Sequence, residues 1–207
     1  MTSIRVFVVG DSISIQYGPH LKELLPPRFA YDRKGGDEAL RNLDRAVGAN
    51  GGDSAMVLDY LRQRHDVGGI AADVLLLNCG LHDIKTDPAT GAKQVPIAAY
   101  ESNLRAIAAL VRAMGLRLVW LRTTPCDEAV HNRQQPSFHR FAADNLAYNA
   151  VADRVMAEAG VSAVDLHGFT ARLGPDPYCD HVHFKPEVRV AQAAYLAGWL
   201  DAAYPAG

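Results

Sequence analysis

Apolar residues in this chain fall into two kinds of run. Short, nearly unbroken ones occur at Ile4 to Val9 (IRVFVV), Asp73 to Leu77 (DVLLL), Leu116 to Leu121 (LRLVWL) and Val161 to Leu166 (VSAVDL). They are too short for helices, and continuous apolarity suits strands covered on both faces. Arg45 to Ala49 is a weaker strand candidate. Between them lie longer segments of helical period: Pro19 to Leu25, Ser54 to Arg64, Pro96 to Met114, Phe141 to Ala159 and Pro186 to Tyr204.

Strands alternating with helices imply a parallel sheet with helices on both faces. The expected fold class is therefore α/β: a three-layer α/β/α sandwich around a parallel sheet of about five strands, doubly wound, with its ligand site beyond the carboxyl ends of the strands. A length of 207 residues fits one domain, 1–207. The strand ends to search for chemistry are Gly10-Asp11-Ser12, Asn50 to Asp53, Asn78 to Asp83 and Thr123 to Cys126. The long polar connection from Asp127 to Arg140 is expected to face substrate, because long loops in compact domains are often functional.

Charge narrows the partners. Lys+Arg 21 and Asp+Glu 23 nearly cancel, with no long block of one sign, so neither nucleic acid nor an anionic membrane surface is expected and a small-molecule substrate fits better. The N-terminal run reads as a first strand, not a leader, and no run approaches the ~20 apolar residues of a membrane span. The protein is thus expected in the cytoplasm unless a leader was removed. Cys79, Cys126 and Cys179 are far apart and form no C-x-x-C pair, so they are expected as reduced thiols. Neither G-x-G-x-x-G nor a P-loop follows any strand, which disfavours a nucleotide or flavin binder.

The candidate chemistry starts at Gly10-Asp11-Ser12. A serine at a strand-to-helix corner is a candidate nucleophile beside free backbone N–H groups; equally, Asp11 or Ser12 can simply cap the first helix. A nucleophilic serine needs a base and a carboxylate that orients it. Both occur in Cys179-Asp180-His181-Val182-His183. On a turn, residues three apart share a side, so Asp180 can hold His183, while His181 points away. Asp180, His181 and His183 lie too close in sequence to surround a metal ion without a distant partner, so no metal is expected. Gly52 can present a bare backbone N–H, or serve merely as a turn glycine. His82 offers a ring N–H, or is an ordinary polar residue after a buried strand.

Taken together, GDS at 10–12, GGDS at 51–54, GLHD at 80–83 and DHVH at 180–183 resemble the ordered blocks of the GDSL/SGNH hydrolase superfamily. The resemblance implies a flavodoxin-like fold, Ser12 as nucleophile, His183 as base and Asp180 as its orienting acid. It also implies an oxyanion hole of the Ser12 and Gly52 backbone N–H groups with a third donor from the GLHD block, and no cofactor. That block usually reads G-x-N-D, so His82 stands where an asparagine amide is usual. It can substitute only as a neutral tautomer with the right N–H, or as an imidazolium. The D-H-x-H form is similar to rhamnogalacturonan acetylesterase and related carbohydrate deacetylases. The expected activity is a serine esterase acting on small acyl groups, acetyl above all, carried by a small molecule or carbohydrate. A lipase, thioesterase or acyltransferase of the same superfamily, and a weakened carbohydrate-binding module, are the alternatives.

Overall fold

The computed structural model describes residues 3–35, 43 and 45–205. Strands β1 (Ile4–Val9), β2 (Phe29–Arg33), β3 (Val74–Leu77), β4 (Arg117–Leu121) and β5 (Ser162–Val164) form one sheet in the order β2-β1-β3-β4-β5. Every pairing is parallel. The longer helices are α1 (Ser12–Leu24), α2 (Ser54–Asp66), α3 (Ile97–Ala113), α5 (Ala142–Glu158) and α7 (Pro186–Ala203); α4 (Glu128–Gln134) and α6 (Leu166–Ala171) are short. Helix α1 packs on α7, while α3 packs on α2 and α5, giving the expected α/β fold with helices around a parallel sheet.

Burial explains why the central strands read so clearly. All of β3 is buried, as are Val119, Trp120 and Leu121 of β4, and Tyr100, Leu104, Ile107 and Val111 of α3 close over them. Each such aliphatic side chain contributes about 1.5–3 kcal/mol relative to exposure. The Val9↔Leu77 register sets the ends of β1 and β3 side by side, at the point where strand order reverses and doubly wound sheets bind ligands.

Two expectations are corrected. The strand expected at Arg45 to Ala49 is a run of bends and turns; the outer strand is Phe29–Arg33, paired among the described residues with β1 alone. As an edge strand it alternates buried or half-buried positions with exposed ones, so it lacks the unbroken apolar run of β3. The carbonyl groups of the 45–50 segment are met by its own turns and by side chains, not by a ladder: the Val47 and Asn50 N–H groups donate to the carbonyls of Arg45 (2.9 Å) and Val47 (3.1 Å), Arg33 donates to Ala49 (3.0 Å), and Lys34 Nζ donates to the carbonyls of Gly48 and Asn50. The first helix starts at Ser12, not Pro19, because Asp11 caps it by accepting the Ile13 N–H at 3.0 Å. Gly18 and Pro19 mask the helical pattern without breaking the helix.

Candidate active site

Ser12 is the first residue of α1, directly after its cap, and is 6% exposed. Strand β1 therefore delivers it to the carboxyl edge of the sheet, where the helix dipole favours negative charge. Across from it, the segment before α7 folds into a tight turn. Asp180 Oδ1 accepts the N–H groups of Val182 (2.9 Å) and His183 (2.7 Å), and the Cys179 N–H donates to the His183 carbonyl at 2.8 Å. This turn puts Asp180 Oδ2 2.7 Å from His183 Nδ1, and His183 Nε2 2.9 Å from Ser12 Oγ. With a proton on Nδ1 facing the carboxylate, Nε2 is the acceptor for the serine hydroxyl.

Electrostatics keep this line in working order. Burial pushes the Asp180 carboxyl up, but the Val182 and His183 N–H groups and the imidazole outweigh it, so the carboxyl lies below its usual range. It stays an anion while His183 is buried at 3% exposure. Asp11, at 2% exposure, behaves oppositely: burial raises it, against the Ile13 N–H, Arg140 and His183.

His181 is not in that line. Its Nδ1 lies 2.9 Å from Nδ1 of the fully buried His131 on α4, while its ring meets that of His183 edge-on at 6.0 Å. Two imidazoles meeting Nδ1 to Nδ1 share one proton, so one donates and the other accepts. Asp180 and His181 thus turn to different partners, and among the described residues no group of three or more His, Cys, Asp or Glu side chains is placed to hold a metal ion.

Two loops close on Ser12 from the other side. The Gly51 N–H donates to the Gly10 carbonyl at 2.8 Å, tying the loop before α2 to the corner that carries Ser12. Gly52 has φ +73°, open to glycine and costly to other residues. Its N–H donates to Asn50 Oδ1 at 2.9 Å, so the donor expected to face the oxyanion has an internal acceptor. After β3, Gly80 sits against Thr123: an added Cβ would lie 2.3 Å from its Oγ1. The turn that follows holds His82 at 3% exposure, with Lys85 N–H donating to its carbonyl at 3.3 Å.

Asp83 links the two loops. Its Oδ1 accepts the Ser54 N–H at 2.9 Å, capping the start of α2 from across the site. Burial pushes its carboxyl up to about 7, against the hydroxyl and N–H of Ser54. Gln94 reinforces the same loop by donating to Asp53 at 2.7 Å.

The segment from Asp127 to Arg140, expected to face substrate, contains α4 and is fastened at its end. Thr86 and His139 exchange backbone hydrogen bonds of 2.8 Å, and Arg140 Nε donates to the Leu81 carbonyl at 2.7 Å. Sequence reasoning gave no role to Arg140 or His131. The one available signal was the density of polar and titratable residues in HNRQQPSFHR.

The three cysteines are free. Burial pushes the Cys126 thiol up to about 11 and the Cys79 thiol well above its usual value, so neither is a ready thiolate. Ser12 is the hydroxyl with a base beside it.

The model of the GDSL-like lipase/acylhydrolase family matches residues 8–188. The chain belongs to this family. It is accordingly a carboxylic ester hydrolase, as the ordered GDS, GGDS, GLHD and DHVH blocks led one to expect. Solved structures similar to this acylhydrolase include the lipase/acylhydrolase from Enterococcus faecalis, with 15% identity, TM-score 0.71 and 99% of each chain covered. An acetyl xylan esterase, AlAXEase, has 16% identity and TM-score 0.69, over 95% of this chain and 100% of its own. Est24, a carbohydrate acetylesterase from Sinorhizobium meliloti, has 10% identity and TM-score 0.69, over 98% of this chain and 100% of its own. At these identities the likeness is one of fold. No curated protein matches the chain.

Proposed function

We propose that this acylhydrolase is a serine esterase that removes small acyl groups, acetyl above all, from carbohydrate or other small-molecule esters. The observation that carries the reading is the unbroken line from Ser12 Oγ through His183 to Asp180, at 2.9 and 2.7 Å. Ser12 Oγ attacks the ester carbonyl while His183 Nε2 takes its proton. The tetrahedral intermediate collapses as His183 returns that proton to the leaving alcohol, giving an acyl-enzyme. Water, deprotonated by His183, then attacks the acyl carbonyl, and the acid leaves as the proton returns to Ser12.

The developing oxyanion needs donors placed beforehand, commonly the largest single catalytic contribution. In this reading they are the backbone N–H groups of Ser12 and Gly52 and the ring of His82. The last is supported by its place in the GLHD block and its burial beside the β1 and β3 ends. The carbohydrate preference is supported by the Asp180-His181-Val182-His183 form and by the names of the acetyl xylan esterase and carbohydrate acetylesterase that share this fold.

Fluorophosphonate labelling with peptide mapping, paired with nitrophenyl esters of increasing chain length and an acetylated xylo-oligosaccharide, tests the proposal. An adduct on Ser12 that Ser12→Ala abolishes, fastest turnover at acetyl, and release of acetate from the saccharide are expected. No adduct in folded protein would favour a binding module, and a rate peaking at long chains would favour a lipase.

A further inference from the structure

The guanidinium of Arg140 is a full positive charge at 4% exposure, an expensive group to bury without purpose. Its Nε donates to the Leu81 carbonyl at 2.7 Å, one residue before His82. Its own N–H donates to Asn132 Oδ1 on α4 at 2.9 Å, its guanidinium lies 5.0 Å from the Phe138 ring centre, and the adjoining His139 is fastened to Thr86 by paired backbone bonds of 2.8 Å. The side chain is therefore held from behind and directed at the turn after β3. Its charge also reaches Asp11, the buried neighbour of Ser12, and opposes the effect of burial there. One cation thus bears on both the nucleophile corner and the turn carrying His82.

We infer that Arg140 is the positioning residue of the oxyanion side: by gripping the Leu81 carbonyl it fixes the Leu81–His82 peptide, and with it the direction of the His82 ring. Nothing in this role requires Arg140 to touch substrate. The inference rests on the esterase reading proposed above, because it assigns Arg140 a partner in that reaction. The chemistry favours arginine: Nε–H belongs to a planar, permanently charged fork, whereas a lysine ammonium is a mobile point charge that cannot occupy the same plane. A charged donor also holds a carbonyl more tightly than a neutral one.

The test compares Arg140→Gln, Arg140→Lys, His82→Ala and the double variant Arg140→Gln/His82→Ala, using nitrophenyl acetate turnover. Misplacing a reacting group by about 1 Å costs on the order of 10²-fold. Arg140→Gln is thus expected to lower kcat by about that factor with KM within about threefold, and added guanidinium ion, well below unfolding concentration, should restore part of the loss. The double variant should be little slower than His82→Ala alone, since residues acting through one another are not additive. Arg140→Lys, which keeps the buried charge and so the fold, should also lose kcat.

A kcat for Arg140→Lys near wild type overturns the inference, as do strictly multiplicative losses in the double variant. Fluorophosphonate labelling of the unmutated protein reads separately on the esterase proposal. Labelled wild type with an insensitive Arg140 sinks only the positioning role, whereas unlabelled wild type sinks the reaction itself.

Discussion

On one side of Ser12 the polar contacts run in a single direct line, from Oγ to His183 to Asp180 over 2.9 and 2.7 Å. On the other, the groups expected to stabilise the oxyanion are held by neighbours: Gly52 by Asn50, the His82 turn by Arg140, and the two loops together by Asp83. The acid–base pair of the first side is set within four residues, by a turn whose own N–H groups bind the acid, and a long-range contact brings it to Ser12. The second is assembled from the loop before α2, the turn after β3 and a distant strap. A local motif fixes most of the first geometry, whereas the second depends throughout on tertiary packing, so substitutions should act differently on the two.

The largest effect is expected from Asp180→Asn, which leaves the turn its acceptor oxygen but no longer enforces the tautomer of His183. A loss of about 10⁴-fold in kcat follows from the behaviour of triad acids, measured as nitrophenyl acetate turnover. A loss below tenfold would mean that His183 is oriented by something else.

Substitution on the opposite side should cost less. His82→Ala is expected to lower kcat by about 10²- to 10³-fold, the usual cost of one oxyanion donor, while His82→Asn restores the amide usual at that position and should recover most of it. If His82→Ala turns over normally, the third donor lies elsewhere and the contrast between the sides narrows.

The smallest effect separates the two acids by the sign of their pH dependence. Asp83 is raised from 3.8 to about 7, so within that window the native state holds more protons than the unfolded chain. Its contribution is fully present below the window and is lost as pH rises through it. Asp180 is lowered, so its contribution is present above its ordinary value and is lost as pH falls. Asp83→Asn, which keeps an acceptor for Ser54, should flatten the fall in stability between those limits in urea unfolding at several pH values. An unchanged slope would assign the effect to another group.

How much could be read from the chain follows the same division. Strands β1, β3 and β4 were legible because both faces are buried and their apolar runs are nearly continuous. Edge strand β2 was not, since exposed Ala30 and Asp32 interrupt it. Helix α1 was half legible, because a proline inside a helix reads as its start. The Asp180–His183 pair was legible from residue type and spacing, which a local turn translates directly into geometry, whereas Ser12, 171 residues from His183, was legible only from the ordered blocks taken together. Arg140 was illegible: its task depends on the docking of His139 against Thr86, more than 50 residues away in sequence. Spacing made His181 the weaker candidate base, but its partner His131, fifty positions earlier, is set only by how α4 packs.

The hydrogen bond from Gly52 to Asn50 Oδ1 gives the resting protein a built-in competitor. An amide oxygen is a better acceptor than an ester carbonyl, so a docking ester gains little by displacing it, whereas an alkoxide formed at the same place gains much. On the proposed reading, Asn50 thus acts as a threshold: the Gly52 donor is withheld from the neutral substrate and released as charge develops. A donor used in this way raises kcat without tightening substrate binding.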